Sequence, residues 1–135
     1  MKYKLTYETK EFCGMVLHRI VCVTAFASVA VGDTGGWVES DKNLSQSGNA
    51  WVSGNAWVYG NAKVSKSSDY AVYKNTWSSM RCFTWTRSND KWNVGCFYGT
   101  GEELIKKAYE DSKLSGDCYK AVVDMRNKIT ELESA

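Results

Sequence analysis

The chain has 135 residues, a formal charge of +2, 44% hydrophobic and 13% aromatic side chains, five cysteines and no proline. That length suits one domain with a modest core, and the near-balanced charge removes any bulk electrostatic case for nucleic acid or a membrane surface. No apolar run approaches the ~20 residues of a membrane span.

The apolar stretch at residues 20–31 lies too far from the start, and lacks the flanks, for a signal peptide. A cytoplasmic protein is therefore expected. Cys13, Cys22, Cys82, Cys96 and Cys118 are odd in number, form no CxxC pair, and mostly lie in or beside apolar runs. They read as free, buried thiols. His18, the only histidine, has no cysteine pair at ligand spacing, so no metal site or cofactor is expected.

In chain order, residues 2–8 alternate with Tyr3, Leu5 and Tyr7 on one face, as a strand does. Residues 9–14 read as a turn. Residues 15–25 are β-branched and nearly continuous, which predicts a buried strand paired back on the first. His18 falls inside it, where a histidine is a packing residue before it is a catalyst. Gly32 to Gly36 is a turn without the lysine and hydroxyl of a phosphate loop. Trp37 to Glu39 is a short strand. Asp33, Glu39 and Asp41 stand close to Trp37, a grouping of acids with Trp that glycosidases use, but acids in so turn-rich a segment read as solvated turn formers.

Residues 48–65 then repeat Gly-Asn-Ala-x-Val-x three times without slippage. A strict six-residue period is the signature of a β-solenoid, each hexapeptide giving one short strand and one corner. Ala and Val, two apart, point into the coil, and Gly-Asn takes the corner. Leu44 falls six before Ala50 and is read as the first rung. Residues 66–76 read as an imperfect last rung. The x positions point outward, which places Trp51, Trp57 and Tyr59 on the coil's outer surface. Either the chain's own hairpins and helices cover them or a partner does.

Residues 81–86 and 91–98 form a second hairpin around Arg87 to Asp90. Thr100 and Glu103 make a capping box that opens a helix ending near Leu114. Residues 115–117 open a second helix, in which Cys118, Val122, Met125, Ile129 and Leu132 form a narrow apolar seam. That seam packs on the first helix and sheet, or it joins two subunits.

Two boxes, Gly35-Gly36-Trp37-Val38-Glu39 with Asn43-Leu44-Ser45-Gln46, and residues 94–105, stand either side of the repeats. With them the chain resembles a group of uncharacterised phage and prophage proteins that share a GGW-[IV]-E…NLSQ box followed by hexapeptide-like repeats. The resemblance supplies no catalytic residues. It implies a small accessory protein, a class that includes inhibitors of host defence such as anti-CRISPR proteins.

The expected architecture is mainly β (α+β), one domain: an N-terminal hairpin module (1–43), a minimal solenoid coil (44–76), a hairpin (77–99) and a helical tail (100–135). A hexapeptide-repeat acyltransferase needs several coils and a histidine base near them, which this chain lacks, so no enzyme is expected. The expected function is binding of a bacterial host protein through Trp51, Trp57, Tyr59 and Trp37. A homodimer is expected through Val122, Met125 and Ile129. Three alternatives are a structural or oligomerising phage protein, a carbohydrate-binding module, and a single-stranded nucleic-acid binder. The last would use Lys63, Lys66, Lys74, Arg81, Arg87 and Lys91 among Tyr70, Tyr73, Trp77 and Trp85.

Overall fold

The computed structural model describes all 135 residues, as a mainly β, α+β fold with two four-stranded sheets and two C-terminal helices. The first sheet starts with a hairpin of β1 (Tyr3–Phe12) and β2 (Met15–Cys22). Cys13 and Gly14 form its tip, both at positive φ, the backbone that a two-residue hairpin turn requires. β3 (Thr34–Val38) pairs antiparallel with β2, and β4 (Trp57–Val58) pairs parallel with β3.

The parallel pairing carries the repeat. Trp37 lies beside Trp57, Val38 beside Val58 and Leu44 beside Val64, each partner twenty positions on. Ala50, Val52, Ala56, Val58, Ala62 and Val64 are all buried, in one core with Tyr3, Ile20, Val38 and Leu44. Gly48, Gly54 and Gly60 all have positive φ, as the repeat's corners demand.

The box before the repeats is explained by this packing. A side-chain carbon on Gly35 would sit 2.5 Å from the Val52 carbonyl oxygen, and one on Gly36 would sit 2.8 Å from that of Ala56. Only glycine lets the two backbone runs approach so closely. Asn43 is fully buried, and its amide donates to the carbonyls of Ala62 at 2.8 Å and Gly60 at 3.3 Å. A buried amide is tolerated because it is satisfied. Ser40 caps the short 3-10 turn Asp41–Asn43 before it.

The second sheet contains β5 (Tyr70–Lys74), β6 (Cys82–Thr86), β7 (Lys91–Val94) and β8 (Phe97–Gly99), each antiparallel to the next. Two expectations change here. Residues 70–74, read as the last rung, instead form the edge strand of this sheet, because Tyr73 packs with Phe83 and Trp92. The strand expected over 91–98 is folded in two by a turn at Gly95 and Cys96.

Helix α1 (Gly101–Asp111) carries the Thr100–Glu103 capping box. α2 (Lys113–Glu133) starts earlier than expected, because the Ser112 hydroxyl caps the Ser115 amide. Gly116 thus lies inside the helix, where the Tyr109 ring packs so close that any side chain would collide with it. The helices close a second core over the sheet, with Phe83, Trp85, Trp92, Leu104, Ala108, Tyr119 and Val123. No helix is long and apolar enough to cross a membrane.

A further correction concerns the thiols. Cys13, at the first hairpin's tip, is bonded to Cys96, at the β7–β8 turn. The two lie 83 positions apart in sequence, so neither spacing nor motif announced the pair. Cys22, Cys82 and Cys118 are free, and Cys22 alone of these is buried.

Candidate functional site

The four aromatics expected to bind a partner have different fates. Trp37 is 2% exposed, with the Lys10 and Arg19 cations 4.6 Å and 4.5 Å from its ring centre. Tyr59 is 3% exposed and packs on Tyr98, their ring centres 4.7 Å apart. Burial pushes its phenol far above the usual range, helped by the neighbouring Tyr98 and Glu39. Neither side chain can reach a partner. They form a small core with Leu17, because the N-terminal hairpin and β8 lie over them. Trp51 is half-buried under Phe26, and its carbonyl accepts from the Tyr70 hydroxyl at 2.9 Å.

Trp57 is the remaining one. It is half-buried, its ring set edge-on against Phe12 at 4.7 Å. Its backbone spans the two sheets: its amide donates to Thr84 Oγ1 at 3.2 Å and its carbonyl accepts from Asn93 Nδ2 at 2.7 Å. The ring borders a cleft of about 330 Å³ that Lys10 and Phe12 line from the hairpin, Asn55 from the repeats, Met80 and Arg81 from the segment before β6, and Asn93 from β7. Volumes of this order hold small ligands or one or two side chains of a partner. Gly95 lines it too, next to Cys96, and Phe12 is next to Cys13, so the disulfide ties two of its walls. Met80 is 55% exposed at its rim.

The aromatics of the nucleic-acid pattern are divided between the two cores. Trp85 is buried beneath the guanidinium groups of Arg87 and Arg126, 5.1 Å and 4.4 Å from its ring centre. Tyr73 and Trp77 pack against the second core, and Tyr70 against the first.

His18 is half-buried in β2 with Nδ1 3.0 Å from the Thr6 carbonyl oxygen, a strand-pairing contact. The acids near Trp37 serve the backbone: Asp33 accepts from the Ala30 amide and Glu39 from the Gly60 amide, each at 2.9 Å. No three His, Cys, Asp or Glu side chains stand together to hold a metal ion.

On α2 the buried face is Tyr119, Val123 and Arg126, one step around from the seam read in the sequence. Val122 is half-buried against the second core. Met125 is 44% exposed, and Ile129 and Leu132 also face solvent. Arg126 decides the rotation: it lies over Trp85 and pairs with Glu133, contacts that a leucine-type seam facing inward would displace.

Sequence reasoning missed Lys10, Phe12, Met80 and Asn93 as companions of Trp57. They come from three distant segments, and only the fold brings them together.

Among known proteins, the chain is 32% identical over 59 residues to an uncharacterised acetyltransferase, YdcK, of Escherichia coli (strain K12). The match covers 38% of this chain and 18% of that protein, so the chain spans under a fifth of its relative's length. No family model matches.

Proposed function

We propose that this chain is a non-enzymatic accessory protein that acts by binding a bacterial host protein, with inhibition of a host defence system as the outcome. The observation that carries this reading is Trp57: an indole on the repeat that the fold leaves facing a cleft, with Phe12 and Met80 beside it. A half-buried tryptophan with its backbone fixed on both sides is a rigid anchor of the kind that dominates protein interfaces. The resemblance of the two boxes to phage and prophage proteins supplies the host setting, and the host cytoplasm is the proposed location. Trp51 contributes at the margin, while Trp37 and Tyr59 hold the anchor from beneath.

In this reading residues 34–64 are a minimal solenoid coil, in which each rung rests on another twenty positions away. Its role is to present Trp57 on a stiff support. The protein works as a homodimer through Met125 and Ile129, with the half-buried Val122 at the inner margin, because Met125 and Ile129 stand exposed as neighbouring apolar side chains on α2.

An acyl-transfer reading has the partial match to YdcK in its favour, but His18 is occupied with Thr6 and has no acid or nucleophile set around it. Binding is the better reading.

The test is a pull-down of tagged protein from host lysate, compared with Trp57→Ser. A stoichiometric host protein that survives high salt and is lost in the variant supports it. Retention of the same protein by the variant contradicts it.

A further inference from the structure

The charges in the Trp57 cleft are unspent. Of the four arginines, Arg19 pairs with Glu8, Arg87 with Asp69 and Glu133, and Arg126 with Glu133. Arg81 pairs with no carboxylate, and its guanidinium makes no hydrogen bond within the chain. Lys10 has no acid either; its Nζ lies over the Trp37 and Trp57 rings, 5.4 Å from the centre of the latter. None of the nine residues lining the cleft is acidic. Two exposed cations that converge beside a half-buried indole attract one anion more strongly than either charge alone.

The neutral polar groups point the same way. Asn55 and Asn93 each spend the side-chain N–H on the protein, on Cys82 Sγ and the Trp57 carbonyl. Their Oδ1 atoms take no hydrogen bond within the chain and stand ready to accept from an amide N–H. Phe12 and Met80 add apolar walls. The cleft's two rings, Trp57 and Phe12, are set edge-on to each other, whereas tracking a nucleic-acid strand takes several stacking faces in succession.

We propose that the cleft receives an acidic segment of the bound protein: a carboxylate set between Arg81 and Lys10, with the neighbouring flat or apolar side chain laid on Trp57. This rests on the host-protein reading above and names the chemistry of the partner's contact.

The test is titration of ¹⁵N-labelled protein with the capped peptide Glu-Glu-Tyr-Glu-Glu, with Lys-Lys-Tyr-Lys-Lys and a short oligothymidylate as comparisons. The acidic peptide is expected to give saturable shifts of the Trp57 indole N–H and the Arg81 Nε–H, and the other two none. Arg81→Gln and Lys10→Gln are each expected to weaken binding about fivefold or more, and Arg81→Lys to retain most of it, with wild-type-like spectra showing that the fold is kept. The proposal is overturned if the acidic peptide gives no shift, if the basic peptide or the oligothymidylate shifts the same signals, or if Arg81→Gln binds as well as wild type. Co-purification separates the two levels. A host protein held equally by wild type and Arg81→Gln overturns the acidic segment and leaves the binding reading standing. No host protein with wild type takes down both.

Discussion

Gln46 grips the backbone of Tyr3 as a neighbouring strand would, accepting from its amide at 3.1 Å and donating to its carbonyl at 3.0 Å. The same Oε1 also accepts from the Lys2 amide at 2.8 Å, and the Tyr3 hydroxyl donates in turn to the Leu44 carbonyl. One side chain thus terminates the first sheet and fastens it to the repeat. Gln46→Ala leaves partly buried backbone groups unpaired and is expected to cost about 2–3 kcal/mol, measured by urea unfolding. Gln46→Glu keeps the shape but loses the N–H donor, and is expected to recover little.

Gly36→Ala is expected to destabilise by about 2–4 kcal/mol, because the added methyl meets the Ala56 carbonyl and the Val52 side chain. The comparison is Gly32→Ala, which meets no atom within 4 Å, although its positive φ still brings strain. Thermal unfolding of both reads the difference.

These two cases show what was legible in the sequence. The repeat's period gave the inward Ala and Val positions, since period alone decides which side chains share a face. Four residues of the first box serve construction: Gly35, Gly36, Asn43 and Gln46 hold the repeat against the hairpin. Of the site, the sequence singled out Trp57, and Arg81 for a different role. Its cations and apolar walls lie on segments far from the repeat, and the Cys13–Cys96 bond that joins them has no local signature. Outward position in the repeat did not mean exposure for Tyr59, because burial there is set by what the rest of the chain lays on top.

Reduction of Cys13–Cys96 is expected to lower stability by up to about 4–5 kcal/mol, the chain-entropy value for so long a loop. Wild type with and without dithiothreitol, against Cys13→Ser/Cys96→Ser, gives this as a shift in Tm. With the bond reduced, Phe12 and Gly95 gain freedom, and binding at Trp57 is expected to weaken, which the same pull-down with and without dithiothreitol measures.

Alkaline pH is expected to unfold the protein. Burial pushes the Tyr3 phenol up to about 12, with Asp41 nearby adding to the rise, and raises Tyr59 and Tyr98 as well. A group whose folded value lies above its unfolded value contributes stability in full below the unfolded value, near pH 10. That contribution is lost as pH rises through the folded value. Urea midpoints are therefore expected to hold below pH 10 and to fall between about pH 10 and 12. Tyr3→Phe, which cannot ionise, flattens part of the fall at some cost in stability for the lost hydroxyl contacts.

Met125→Glu with Ile129→Glu is expected to leave the folded monomer intact, since both side chains already face solvent. The pair is expected to convert a dimer to a monomer in sedimentation velocity. Unchanged sedimentation of the variant as a dimer would place the contact elsewhere.

The most direct test of host-protein binding at Trp57 is a photo-crosslinking amino acid placed at Met80, on the rim of the cleft, and separately at Leu114, on the helical tail. Crosslinking is carried out in host cells. A discrete adduct with one host protein from position 80, absent from position 114 and lost with Trp57→Ser, is the predicted result. No adduct from position 80, or the same adducts from both positions, would contradict it.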